Sequence, residues 1–273
     1  MISHAFPDGV NDHDVQLPSG TTVRVAEAGD LDAGTPVVLV HGNFASRRWW
    51  TELLARPPRG LRLIAPDLPN FGASDPLPGP PSLDAYADAL TLTMDALGVD
   101  RAALVGHSLG AAVVERVALA APGRVSGLML VDGAPPEGLP RPEEHYALLS
   151  GFVGDRDGLA AALAPLTGSG TPPYWEALLD DAVAMAAPAF EGNARALGTS
   201  TLAAPPADFA VPVVVLHGGM DPLIDPDMAM ATARHWPDAH LETWPDVGHS
   251  PQIEAPDRFA ALLSAFVKGA AMV

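Results

Sequence analysis

Two hydrophobic patterns alternate along the chain. Short, nearly continuous runs of valine, leucine and isoleucine are separated by longer alanine-rich segments whose apolar positions recur at helical spacing. Strands buried on both faces read as apolar runs, and helices laid over them read as amphipathic segments. The alternation therefore predicts an α/β fold, a mostly parallel central sheet of about eight strands flanked by helices. Strands are expected at 23–26, 37–40, 61–65, 102–105, 128–131, 213–216 and 240–243, with an antiparallel edge strand at 13–17. Helices are expected at 47–55, 83–97, 109–120, 227–235 and 256–267, where Ser82 and Asp225 supply the short polar side chains that cap first turns.

Residues 137–207 break this rhythm. They hold no convincing strand but carry helical pieces at 145–152, 174–185 and 188–197, separated by proline, glycine and threonine. A segment this long is no ordinary loop. It reads as a helical cap (lid) inserted at the C-terminal edge of the sheet, where α/β folds place their ligands. At 273 residues one hydrophobic core suffices. The expected division is a core of 1–136 and 208–273 with the cap at 137–207.

Chemistry enters where the apolar run at 102–105 ends. There the chain reads Gly106-His107-Ser108-Leu109-Gly110 and passes into a helix. A serine at so tight a strand-to-helix reversal projects its hydroxyl above the sheet, and the glycines give the backbone room to turn. The amide of Leu109, in the helix's first turn, then points toward the place where an oxyanion would form. Upstream, the apolar run at 37–40 ends in His41-Gly42-Asn43, and the Asn43 amide can converge with that of Leu109 as a second donor. The Asn43 side chain either adds a donor or braces its own turn, while His41 reads as structural. Downstream, Asp221 follows the run at 213–216 and His249 lies in a glycine-bounded loop before the last helix. A serine hydroxyl is a poor nucleophile at neutral pH, so a histidine must remove its proton and a carboxylate must hold the imidazole in the useful tautomer. The chain order Ser108, Asp221, His249 suits that arrangement. Asp132, at the end of the run 128–131, is the rival carboxylate, whereas Asp67, Asp75 and Asp246 read as turn braces.

These motifs resemble the α/β-hydrolase superfamily, in its lidded, esterase-like branch, over nearly the whole length. Residues 66–75, PDLPNFGASD, are similar to that superfamily's D-x-x-G-x-G-x-S loop, with Asn70 in place of the first glycine. Asparagine tolerates positive φ, so the turn survives the change. The resemblance implies a serine hydrolase that needs no cofactor or metal and acts on a small-molecule ester or lactone. Alternatives on the same triad are a carbon–carbon bond hydrolase and a cofactor-free perhydrolase or haloperoxidase. A non-catalytic receptor on the same fold is the alternative of another class. Phe44, Trp49, Phe152, Tyr174 and Trp175 are expected to line an apolar substrate pocket.

Composition narrows the partners. With 33 acidic and 15 basic residues the formal charge is -18, which repels phosphate backbones and anionic lipid surfaces, so neither nucleic acid nor membrane is expected as a partner. The expected cap contains few basic residues, chiefly Arg156 and Arg195, which points to small or medium neutral substrates. Absence of cysteine excludes a disulfide framework and a thiolate nucleophile. The opening MISHAFPDGV has no basic and then apolar leader, and no uncharged apolar run of about 18 residues occurs, so a cytoplasmic location is expected. Oligomeric state is not legible.

Overall fold

A computed structural model describes residues 5–32, 34–168, 170–206 and 208–270. Residue 207, the expected last residue of the cap, lies outside them, as do the first four residues of the opening segment.

Eight strands form one sheet: β1 Asn11–Gln16, β2 Thr22–Gly29, β3 Thr35–Val40, β4 Leu61–Pro66, β5 Ala102–His107, β6 Val125–Val131, β7 Val213–Gly218 and β8 His240–Trp244. Their order is β1-β2-β4-β3-β5-β6-β7-β8. All pairs from β4 to β8 are parallel, and β2 is antiparallel to both neighbours. The reversed strand is therefore β2. The edge strand β1 pairs antiparallel with it but runs in the direction of β4. Central β5 is buried at every position, as its unbroken apolar sequence requires. Side chains alternate between the faces: Val38, Val40 and Leu104 join one apolar cluster, and Val37, Leu39, Ala103 and Val105 the other.

The helices of the core are α1 Thr51–Ala55, α2 Leu83–Ala96 and α3 Leu109–Ala120. The span expected as one helix at 47–55 is a 3₁₀ turn, Arg47–Trp50, running into α1. Ser82 caps α2 by accepting from the Ala85 amide at 3.1 Å. Between β6 and β7 lie α4 Glu143–Ser150, α5 Arg156–Leu163, α6 Trp175–Val183 and α7 Ala187–Gly198. The sequence pattern misses α5, whose apolar stripe is only Leu159 and Leu163 and follows a polar first turn with Asp157 and Gly158. This inserted segment has a closed neck. The Leu202 amide donates to the Pro136 carbonyl at 2.8 Å, and the Leu139 amide to the Leu197 carbonyl at 2.9 Å. The chain ends with α8 Pro226–His235, capped by Asp225 through the Met228 amide, then the short α9 Pro251–Glu254 and α10 Pro256–Ala270. Among the described residues no helix is long and apolar enough to cross a membrane.

Candidate active site

The strand-to-helix turn after β5 explains its own glycines. A Cβ on Gly106 would stand 2.4 Å from the Gly110 carbonyl oxygen, and one on Gly110 would stand 2.4 Å from that of Val40. Neither position admits a side chain. Between them Ser108 takes φ 52°, ψ -118°, a strained conformation for a residue with a Cβ. Its amide donates to the Val131 carbonyl at 2.9 Å, which ties the turn to the end of β6. Leu109 opens α3, so its N–H is among the first-turn amides that lack an intrahelical acceptor.

The 41–46 turn packs directly on this elbow, since a Cβ on Gly42 would lie 3.0 Å from that of Ser108. His41 braces the turn: its Nδ1 donates to the Gly42 carbonyl at 2.8 Å and its Nε2 accepts from the Leu68 amide at 3.0 Å. Burial pushes its pKa down to about 4, so the ring is neutral. The Asn43 side chain makes a contact its sequence does not suggest. Its Oδ1 accepts from Asn193 Nδ2 of α7 at 2.8 Å, at the end of a buried relay in which Asn70 Nδ2 donates to Tyr86 Oη and Tyr86 Oη donates to Asn193 Oδ1, each at 2.8 Å. A second bridge joins the same turn to α6, where Asp181 accepts from Ser46 Oγ at 2.6 Å and pairs with Arg48 at 3.1 Å.

His249 and Asp221 meet across the C-terminal strand ends. His249 Nδ1 lies 2.6 Å from Asp221 Oδ2, both side chains almost fully buried. The other carboxylate oxygen of Asp221 accepts from the amides of Leu223 and Ile224, at 2.7 and 3.2 Å. Burial alone would depress the imidazole, but the Asp221 bond and charge outweigh it and hold the His249 pKa above its usual value. Burial likewise opposes ionisation of Asp221, and its contact with His249 reverses that and lowers its pKa. The His249 loop is pinned twice more. Glu254 accepts from the amides of Gly248 and Ser250, each at 2.9 Å, and His107 Nε2 donates to the His249 carbonyl at 2.8 Å. Neither Glu254 nor the role of His107 is visible from motif spacing.

Asp132, the rival acid, takes a different partner. Its Oδ1 accepts from the Gly218 amide at 2.9 Å and lies 3.0 Å from His217 Nδ1, while its buried Oδ2 has no partner. Burial raises its pKa to about 6. Asp132, Asp221 and His249 each bring one donor atom within 4.8 Å of the others. In that group the His249 and Asp221 atoms are already joined by their 2.6 Å bond. Of the remaining turn acids, Asp67 accepts from Arg47 and Ala73, Asp75 from the Thr22 amide, and Asp246 pairs with Arg258. Asn70 adopts φ 76°, as a residue in place of glycine must there.

A cavity of about 360 Å³ brings Ser108, His249 and Asn43 to one wall. Phe44, Trp49 and Phe152 line it, together with leucines of α4, α5 and α7, Arg141 and His145. Tyr174 and Trp175 do not. They pack against the cluster of Ala45, Trp49, Leu178 and Ile253, because the start of α6 docks on the 43–50 turn behind Trp49. The leucines, Arg141 and His145 escape sequence reasoning because the packing of the inserted helices, not a motif, turns them inward.

The alpha/beta hydrolase family's sequence profile matches residues 37–262, and the chain belongs to that family. It is a hydrolase, with relatives of several substrate classes. The pimeloyl-[acyl-carrier protein] methyl ester esterase of Pectobacterium carotovorum is 29% identical over 86% of this chain and 94% of its own. The 2-hydroxymuconate semialdehyde hydrolase of a Pseudomonas strain is likewise 29% identical, over 87% of this chain and 88% of its own. A Burkholderia cenocepacia crystal structure, provisionally assigned as an aryl esterase, superposes with a TM-score of 0.84 at 28% identity, covering 96% of this chain and all of that one.

Proposed function

We propose that the protein is a serine hydrolase that cleaves a carboxylic ester or lactone with an apolar acyl side, through an acyl-enzyme on Ser108. The observation that carries this reading is the 2.6 Å Asp221–His249 contact beside a cavity that Ser108 and His249 both line. Ser108 Oγ adds to the carbonyl carbon as His249 Nε2 takes its proton, and the amides of Asn43 and Leu109 receive the oxyanion. His249 returns that proton to the departing alkoxide. Water then attacks the acyl-enzyme by the same route, which releases the acid and restores Ser108. Asp221 holds the imidazole with Nδ1 protonated. Residues 137–207 act as the cap that walls the acyl side from water.

A sulfonyl fluoride tests the assignment. It is expected to add once, at Ser108, and to abolish turnover of short p-nitrophenyl esters. Ser108→Ala is expected to lower kcat by about 10⁴-fold or more with the fold intact. Activity lost through labelling at another residue, or a variant retaining a tenth of the rate, would sink the reading. Absence of turnover across an ester and lactone panel would instead favour a ligand-binding protein on this fold.

A further inference from the structure

The cavity differs in charge from the rest of the molecule. The chain has 33 acidic residues, yet among the described residues no carboxylate lines the cavity, whereas one arginine does, Arg141. Its guanidinium is also unusual for this protein. The two other arginines of the inserted helices are neutralised: Arg156 by Asp180 and Glu176, and Arg195 by Glu143 and Glu191. Arg141 has no ion pair or side-chain hydrogen bond among the described residues, and only its backbone amide is held, donating to Tyr146 Oη at 3.0 Å. Of the two acids in the first turn of α4, Glu143 and Glu144, the first is paired with Arg195.

A half-buried arginine without a counter-ion keeps its guanidinium donors free for a ligand, and their fork geometry matches a carboxylate. Remote surface charges do not substitute for it, since solution salt screens them over roughly 8 Å. Arg156 and Arg195, the two arginines behind the expectation of neutral substrates, are ones the fold has already neutralised, and Arg141 is not among them. Apart from Asn43, His107, Ser108, Arg141, His145 and His249, the cavity that holds both Arg141 and Ser108 has an apolar lining, which includes Leu148, Leu149, Phe152 and Leu163.

Resting on the ester-hydrolase reading, we infer that the substrate is a half-ester: an ester at Ser108, an apolar chain along the leucine lining, and a carboxylate on Arg141 at the far end. Arg141 then determines specificity and takes no part in bond breaking.

The test compares monomethyl esters of straight-chain α,ω-dicarboxylic acids, in a series of increasing length, with the methyl esters of monocarboxylic acids of equal length, at a pH where the carboxylate is ionised. At one chain length the wild-type protein is expected to favour the half-ester in kcat/KM. Arg141→Gln should lower that ratio on the order of tenfold or more, and Arg141→Lys should fall between, keeping the charge but losing the fork. Equilibrium binding of the same pairs to Ser108→Ala repeats the comparison without turnover. Failure of hydrolysis would therefore count against the proposed function alone. Equal affinities for the two ester types at every length, or a ratio that Arg141→Gln leaves in place, would overturn the half-ester.

Discussion

The strand-end turns and the inserted helices build the two walls of one cavity by different means. On the sheet side, Ser108, Asp221 and His249 hang from short turns whose backbones are over-determined. Gly106 and Gly110 admit no side chain, the Ser108 amide is bound to Val131, and Glu254 clamps both sides of His249. On the helical side, the wall is made of leucines whose positions follow from packing, joined to the sheet side by side-chain contacts such as Asn193–Asn43 and Asp181–Ser46. Reaction geometry tolerates errors well below an ångström, while an acyl chain is accommodated by any apolar surface of adequate shape. Rigid turns suit the first task and adaptable side-chain packing suits the second.

If that contrast is right, damage on the sheet side acts on kcat far more than damage on the helical side. The largest effect separates the two buried carboxylates. Asp221→Asn keeps the shape but favours the wrong imidazole tautomer, and kcat should fall by about 10³ to 10⁴-fold, whereas Asp132→Asn should cost less than about tenfold. The reverse ranking in steady-state kinetics would move the orienting role to Asp132.

Next comes the link between the walls. Asn193→Ala removes the α7 contact that holds Asn43, so the proposed oxyanion donor loosens without being deleted. A loss in kcat of about tenfold is expected, smaller than the 10² to 10³ that follows outright removal of such a donor, with KM little changed. A rise in KM at constant kcat would show instead that Asn193 serves only the pocket.

A milder probe is pH. In the proposed mechanism only neutral His249 can accept the Ser108 proton, and Asp221 holds its pKa above the ordinary 6.5. The rise of kcat/KM should therefore have its midpoint above that value and level off at higher pH. In Asp221→Asn the largest remaining influence is burial, so the residual activity should rise at lower pH; an unmoved midpoint would detach the titration from this pair.

The smallest effect lies outside both walls. Glu115 on α3 is buried, accepts from Trp236 Nε1 at 3.0 Å, and burial raises its pKa to about 7 from 4.5. Its folded form prefers the proton, so its contribution to stability is complete below about pH 4.5 and is lost as pH rises through 7. Glu115→Gln should therefore raise the melting temperature by about 2 to 4 °C at pH 8 and do little at pH 4, read by calorimetry, with kcat unaltered.

The same contrast governs what can be read from sequence. The sheet side is legible because its determinants are local: apolar runs mark β3 to β7, glycine spacing marks the elbow, and Asn70 stands where positive φ is needed. Reversal of β2 is not legible, since strand direction depends on which neighbour a strand finds. Within the inserted helices, three of the four announce themselves by periodicity. Their inward faces do not, and so Tyr174 and Trp175, large aromatics of the expected cap, pack behind Trp49 while Arg141 lines the cavity. The relay from Asn70 through Tyr86 and Asn193 to Asn43 joins four distant segments, and no window of sequence contains it.

The closed neck of the inserted segment bears on how such a protein diversifies. Pro136 and Leu202 are already bonded neighbours, so whatever is spliced between them leaves and returns at the same place, and the entropy of closing the loop changes only logarithmically with its length. Insertions, deletions or a transplanted helical cassette can then alter which acyl chains are accepted while β6 and β7 keep their register. Arg141 lies inside that cassette and Ser108 outside it, so with the roles proposed for them recombination at the neck would exchange substrate preference and conserve the chemistry.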